Sequence, residues 1–311
     1  MDSQIAKKTS AFIQALASDP NPQNRYLIAQ MVGFAVNEIT HTATNWLDNL
    51  ADVKRVGYGQ KAQFKVRQEG IRAYVQAKGA TPARSKVANK TMSLDTVSVS
   101  ARPVVNLVEL QTNQNAMTDL ILDASYQMEL AEYGLFQKTL NAAAKGWNSP
   151  YYATGSGLVK ATLDPMIRHW YRISNAAPAV IGDIDMTSKI ADLTGFTAST
   201  TSKQFAEDIM MEQNSAGFIG VYNGAKVVNL INPLIDGTDD SVFDRNKLFI
   251  LPAGIDATMR PLKVVFEGDV QSQEGTDIDD KTYEIRLDQY VGAGVIVGDR
   301  PYVSVYEDSS I

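Results

Sequence analysis

A long helical pattern between Asn113 and Lys145 constrains the fold more than any other feature of the sequence. Its apolar residues recur at steps of three or four, which places them on one face of an α-helix. Thr112 is a candidate N-cap and Gly146 a candidate C-terminal stop. At a rise of 1.5 Å per residue, the helix is about 50 Å long, roughly three times the mean length. The apolar set is Met117, Leu120, Ile121, Ala124, Met128, Ala131, Leu135, Leu140 and Ala143.

This pattern does not fit a coiled coil. Tyr126, Tyr133, Gly134 and Asn141 interrupt the regular apolar seam that a heptad repeat requires. The sequence therefore predicts a single long helix that lies across a sheet, with Gly134 as a candidate bend.

Strand patterns lie on both sides of this helix in the chain. Residues 62–69 and 71–77 alternate apolar and polar side chains, which is typical of half-exposed strands. Another strand region is predicted over 91–110, where Pro103 requires an edge or a bulge. The end of the chain, from Leu262 to Tyr306, is predicted to be mostly β, as strands over 262–266, 282–288, 291–297 and 302–306.

The remaining segments carry helical or mixed patterns. Helices are predicted over 3–18 and 25–41, separated by Asp19-Pro20-Asn21-Pro22. Residues 151–260 predict a mixed α/β unit, in which Asn223-Gly224 is a strong hairpin signal. The elements predicted within it are helices over 162–174, 186–193 and 202–213 and strands over 179–184, 218–221, 226–231 and 247–251.

Charge is segregated along the chain. Ten basic residues and one acid, Glu69, lie between Lys54 and Lys90, so this segment carries +9. Because the whole chain carries −6, the rest carries −15. Three interpretations are open at this point: the segment docks on the acidic surface of a neighbouring copy, contacts nucleic acid, or is a solvated hairpin. Taken as a whole, the acidic chain does not have the charge of a dedicated nucleic-acid binder.

Composition excludes several kinds of chemistry. With no cysteine, the chain has no disulfide, thiolate metal site or cysteine nucleophile. His41 and His169 are the two histidines, too few for a multi-histidine metal centre. Neither a nucleophile elbow, a dinucleotide-binding glycine motif nor a P-loop is present. No apolar run reaches the roughly 20 residues of a membrane span, and the N-terminus does not fit a signal peptide, so we expect a cytosolic product.

Four weaker signals each have a structural interpretation that we favour. His169, near Asp164 and Trp170, is a candidate base for an α/β enzyme within 151–260, but it has no visible partner. Gly155-Ser156-Gly157 could hold a phosphate, although loop flexibility explains it better. Two acidic clusters could suggest a calcium site, but they lack the EF-hand spacing and fit solvated turns better. Three aromatic residues could form a stacking platform, but they fit a hydrophobic cluster at a helix end better. The acidic clusters are Asp236, Asp239, Asp240 and Asp244, and Asp277, Asp279 and Asp280; the aromatic residues are Trp147, Tyr151 and Tyr152.

The order of these elements resembles the phage major capsid proteins of the Hong Kong 97 fold. The stretch from Val75 to Pro82, "VQAKGATP", looks like the family's extended-loop strand and its turn. Lys90–Leu110 looks like the returning strand, and Asn113–Trp147 like the spine helix of the P-domain. "FIGVYNGAKVVNLI" at 218–231 is similar to the A-domain hairpin, and "YVGAGVIVGDRPYVSV" at 290–305 to closing P-domain strands. Together they cover most of residues 57–306, and the specificity lies in their order and spacing.

The resemblance implies an α+β fold of the Hong Kong 97 type. It divides the chain into an N-terminal arm with helices that clasps neighbouring copies (1–56), an extended basic β-hairpin loop (57–93), and a P-domain whose long spine helix lies on an antiparallel sheet (94–150). A mixed α/β A-domain (151–261) and the closing P-domain strands (262–311) follow.

The implied function is that of a major capsid protein. Such subunits self-assemble through pentamers and hexamers into an icosahedral shell that encloses phage DNA, in a virion assembled in the cytoplasm of a bacterial host. The resemblance also implies a portal, a possible decoration protein, non-specific contact with double-stranded DNA and no membrane. Because the extended loop begins about 57 residues into the chain, we expect any scaffold to be a separate protein.

The implied site is an intersubunit contact made by the extended loop. Its basic residues are Lys61, Lys65, Arg67, Arg72, Lys78, Arg84 and Lys86. Some family members cross-link a loop lysine to a P-domain asparagine. Asn246 is the last asparagine of this chain, so we expect a non-covalent shell, with no catalytic residue, cofactor or metal site.

Two other functions stay open. A bacterial nanocompartment of the encapsulin type shares the fold and encloses protein cargo instead of DNA. An α/β enzyme centred on residues 151–260 would use His169.

Overall fold

A computed structural model describes most of the chain. The described residues are 2–17, 22–43, 51–69, 88–106, 114–174, 177–198, 218–230, 232, 234–235, 238–252, 260–277, 282–295 and 301–311. Within them the helices are α1 (Asp2–Ala17), α2 (Pro22–Ala43), α3 (Gln114–Ala144), α4 (Lys160–Ser174) and α5 (Ile184–Ala191). The strands are β1 (Ala51–Val56), β2 (Gln63–Glu69), β3 (Ala88–Ser93), β4 (Val97–Ala101), β5 (Val104–Asn106), β6 (Tyr152–Gly155), β7 (Pro178–Gly182), β8 (Phe196–Ala198), β9 (Phe218–Tyr222), β10 (Ala225–Asn229), β11 (Lys247–Pro252), β12 (Leu262–Asp277), β13 (Thr282–Val295) and β14 (Ser304–Asp308).

A five-stranded sheet is built around the long hairpin of β12 and β13. Its order is β1-β12-β13-β4, and β5 also pairs with β13. The pairs are antiparallel except for β1, which runs parallel to β12. The sequence predicts separate strands over 282–288 and 291–297, whereas β13 continues through this region, because every second residue from Tyr283 to Val291 is buried.

The predicted long helix is confirmed as α3, which lies across one face of this sheet. Ile121, Met128 and Phe136 on its inner face join the core with Leu287 and Val291 of β13. Gly146, in the left-handed region at a φ of 95°, follows the last turn and fits the predicted stop. The face of the sheet under α3 is therefore the main apolar core.

The two N-terminal helices pack on the same face of the five-stranded sheet as α3. Ile13 of α1 and Ile28, Val32 and Val36 of α2 are buried in that core. Ala51 of β1, at the edge of the sheet, is buried with them. The apolar faces of these helices and of β1 are therefore covered within the chain, and the expectation that residues 1–56 form an arm clasping neighbouring copies stays a prediction.

A second sheet has seven strands in the order β6-β14-β11-β7-β10-β9-β8. Its strand β7 is buried along its whole length, with α4 and α5 packed against the sheet. The predicted hairpin turn is confirmed between β9 and β10, where Asn223 and Gly224 have φ values of 45° and 83°. The strand β14 belongs to this sheet, paired with β11 and β6. This pairing differs from the expectation that all closing strands join the P-domain sheet.

Other predicted elements differ in their limits. Of the predicted strand region over 91–110, residues 107–110 lie outside the described residues. The rest contains the end of β3, then β4 and β5, with a break at Pro103, whose carbonyl oxygen still accepts from the Ile285 amide. The predicted strand over 71–77 and helix over 202–213 lie outside the described residues. None of the described helices is both long and apolar enough to cross a membrane.

Candidate assembly interface

The basic segment begins in β1 with Lys54 and Arg55, and its next described strands form a two-stranded hairpin, as predicted. Strands β2 and β3 pair antiparallel, with Phe64 opposite Met92 and Lys65 opposite Thr91. Lys61 and Lys65 are exposed. Arg67 lies on β2 opposite Asn89, whereas Arg72, Lys78, Arg84 and Lys86 lie outside the described residues. The structure therefore describes the two legs of the hairpin where it leaves the sheet, residues 57–69 and 88–96, which we call its root.

Phe64 anchors this root on the five-stranded sheet. Its side chain is fully buried and packs with Ala62 of the hairpin and Val265 of β12. Val265 points away from its neighbours Val264 and Phe266, which belong to the core under α3. Because successive side chains of a strand point to opposite faces, the hairpin is rooted on the face of the sheet opposite to the helices.

Two lysine ammonium groups surround the Phe64 ring. The Nζ atom of Lys54 lies 4.7 Å from the ring centroid and that of Lys263 lies 5.7 Å away. Lys263 is fully buried and its Nζ donates to Asp52 at 2.8 Å. Burial lowers the pKa of Lys263, while the Asp52 carboxylate opposes that effect. Phe64 is therefore held by apolar contact together with cation–π attraction.

The two legs of the hairpin meet on one carboxylate, Glu267 of β12. Its Oε1 accepts from the Gly59 amide at 2.8 Å and its Oε2 accepts from the Thr96 hydroxyl at 2.6 Å. Nearby, the Tyr58 ring contacts the Tyr290 ring edge-on at 5.7 Å. Sequence reasoning missed Glu267, because it lies 208 residues from Gly59 in the chain and no local pattern joins them.

The ion pair at the root is a weak contact. Lys61 Nζ lies 3.0 Å from Asp95 Oδ1, with the two side chains 73% and 88% exposed. Such exposed pairs contribute about 0–1 kcal/mol, because water screens the charges. The Lys61–Asp95 pair therefore contributes little to the position of the hairpin.

The weaker sequence candidates have structural surroundings. His169 lies on α4 with its ring 5.0 Å from that of Tyr151, within an aromatic cluster that also holds Trp147 and Trp170. The Gly157 amide donates to Asp308 of β14, so the glycine loop is occupied by the chain's own end. Within the part of the chain that the structure describes, no group of three or more acidic or histidine side chains could hold a metal ion.

The family comparison matches nearly the whole chain. Residues 2–305 match the model described as "SPbeta prophage-derived putative capsid protein YonB". No curated protein is similar enough in sequence to match.

Solved structures of shell proteins share the fold. The capsid of an empty GTA particle superposes with a TM-score of 0.55 at 11% identity, covering 85% of this chain and 90% of that one. The virus-like particle from Pyrococcus furiosus has a TM-score of 0.52 at 13% identity, covering 89% of this chain and 98% of that one. The head of Helicobacter pylori bacteriophage KHP40 has a TM-score of 0.51 at 10% identity, covering 84% of this chain and 88% of that one. These likenesses confirm the Hong Kong 97-like fold.

Proposed function

Because the chain belongs to the family of prophage-derived capsid proteins that the YonB model describes, we propose a specific way in which it builds a shell. The protein is a major capsid protein, a structural component of the virion wall. In our proposal, copies assemble through pentamers and hexamers into an icosahedral shell around phage DNA. The basic hairpin of each copy docks on the acidic surface of the next one, without a covalent cross-link.

The segregated charge of the hairpin carries this proposal. The segment from Lys54 to Lys90 has a net charge of +9 and the rest of the chain one of −15. Phe64 anchors the hairpin on the sheet, while Lys61 and Lys65 are exposed. Opposite charges on contacting surfaces steer association and disfavour wrong partners. A rooted, exposed and strongly basic hairpin is therefore suited to contact an acidic neighbour.

Charge reversal tests the docking role. Reversing Lys61, Lys65 and Arg67 to glutamate removes three attractions and adds three repulsions, so we expect closed shells to be lost in electron microscopy and sedimentation. A matched control reverses three exposed lysines, Lys138 on α3, Lys145 directly after α3 and Lys226 on β10, and it should still assemble. Normal shells from the hairpin variant would refute the docking role.

Additional partners follow from the same proposal. A shell that takes up DNA needs a portal, and we propose that a separate scaffold protein guides assembly in the host cytoplasm. A decoration protein on the outer surface is a further possible partner. Contact with the packaged DNA would be non-specific, made between basic side chains and phosphate groups, which carry no sequence information. Purified particles that contain DNA support the phage head, whereas particles that hold one enclosed protein would indicate a nanocompartment.

A further inference from the structure

Glu267 ties together the two points at which the basic hairpin leaves the sheet. Gly59 precedes β2 and Thr96 follows β3, and each donates to a different oxygen of the one carboxylate. The outgoing leg and the returning leg are thus bound to β12 through a single side chain. Phe64 holds the hairpin by apolar contact on the same face. The exposed Lys61–Asp95 pair joins the two legs to each other, whereas Glu267 ties both legs to β12.

The carboxylate itself is held firmly by the sheet. Glu267 pairs with Val56 of β1 on one side and with Tyr290 of β13 on the other. The Thr96 hydroxyl and then the Gly59 amide hold its pKa below the ordinary value of 4.5, so it is an anion at neutral pH. Hydrogen bonds to an ionised acceptor are about twice as strong as neutral ones.

The backbone next to these contacts has the conformation that brings the legs to the carboxylate. Gly59 has a φ of 77° and Gly268, directly after Glu267, has a φ of 70°. Residues other than glycine rarely adopt such positive φ values. The pairing of β12 with β13 also shifts register after Glu267. The bulge and the two glycines place the hairpin root over Glu267.

We propose that Glu267 is a positioning residue that fixes the orientation of the basic hairpin before it docks on a neighbouring copy. The proposal rests on the proposed role of the hairpin as an intersubunit contact. A hairpin already held in one orientation loses less conformational freedom on docking, so less of the contact energy is spent on ordering it. Assembly should therefore depend on Glu267 although it belongs to the root and not to the basic segment.

Hydrogen exchange of the unassembled full-length chain tests the orientation directly. In Glu267→Ala, amide exchange over residues 57–62 and 93–98 should rise about tenfold or more, as expected for the loss of charge-assisted bonds. The protein concentration needed for shells should rise by a similar factor. Asp269→Ala removes the same charge two residues further along β12 and should change neither value.

Two further variants separate positioning from general stability. Glu267→Gln keeps an oxygen for the Gly59 amide and supplies an NH₂ group that can donate to the Thr96 hydroxyl, so it should restore most protection and assembly. Thr96→Val releases the returning leg alone and should raise exchange mainly over 93–98. Circular dichroism of each variant should match that of the parent.

The outcomes distinguish this inference from the proposed function. Unchanged exchange in Glu267→Ala would overturn the positioning role. Faster exchange with an unchanged assembly concentration would also overturn it, while leaving hairpin docking intact if the charge-reversed hairpin still fails to assemble. Normal shells from the charge-reversed hairpin would refute docking itself, and the positioning role in assembly would fall with it.

Discussion

Glu132 should make the stability of the subunit strongly dependent on pH. It lies on α3 with no exposed surface, and neither of its carboxyl oxygens has a hydrogen-bond partner within the described residues. Burial raises its pKa from 4.5 to about 8, with Glu129 adding to the effect and Arg55 opposing it. The folded protein therefore keeps this proton over a range in which the unfolded chain releases it.

The sign and size follow from this difference. A group whose pKa is raised on folding stabilises least at high pH, so stability is lost as the pH rises from 4.5 towards 8. Each pH unit in that range costs about 1.4 kcal/mol. Between pH 5 and 9, the loss attributable to Glu132 reaches about 4 kcal/mol.

The substitution Glu132→Gln removes the titration and keeps the shape. Its free energy of unfolding should lie close to that of the parent near pH 5 and exceed it by about 4 kcal/mol near pH 9. Urea unfolding of the unassembled full-length chain, followed by circular dichroism at a series of pH values, measures both curves. Asp123→Asn is the matched control, because Asp123 is an exposed carboxyl on the same helix; its curve should follow the parent. Parallel curves for Glu132→Gln and the parent would refute this reasoning.

Two further predictions concern local contacts. Asp308→Asn should destabilise the chain by about 2–4 kcal/mol at neutral pH, measured by urea unfolding. Burial alone would raise the pKa of Asp308, but hydrogen bonds from Lys189, Ser310 and Gly157 hold it well below its ordinary value, so the difference from the parent should shrink as the pH falls through that lowered pKa. Gly134→Ala should raise the melting temperature through about 0.5–1 kcal/mol of helix propensity, because a Cβ on Gly134 has no atom within 4 Å. Gly224→Ala should lower the melting temperature, because Gly224 has a φ of 83° and an added Cβ would clash with the Tyr171 hydroxyl group. A lower melting temperature for Gly134→Ala, or an unchanged one for Gly224→Ala, would contradict these two predictions.

Much of the local structure could be predicted from the sequence. The helix α3, the strand β2 and the turn at Asn223-Gly224 each depend on residues within four positions of one another, and all three are present. The basic character of the hairpin was equally visible, since charge is a property of composition. The family resemblance added the fold, through the order and spacing of these elements.

Tertiary structure alone decided which distant residues meet. The sequence showed a strand near Ser304, but not that β14 would join β11 and β6 in the second sheet. It showed apolar faces on the N-terminal helices, but not that their own sheet would cover them. Glu267 and Glu132 look like any other glutamates in the sequence. Their roles arise because the packing brings the hairpin legs to one and withdraws the other from water, and contacts across hundreds of residues leave no periodic trace along the chain.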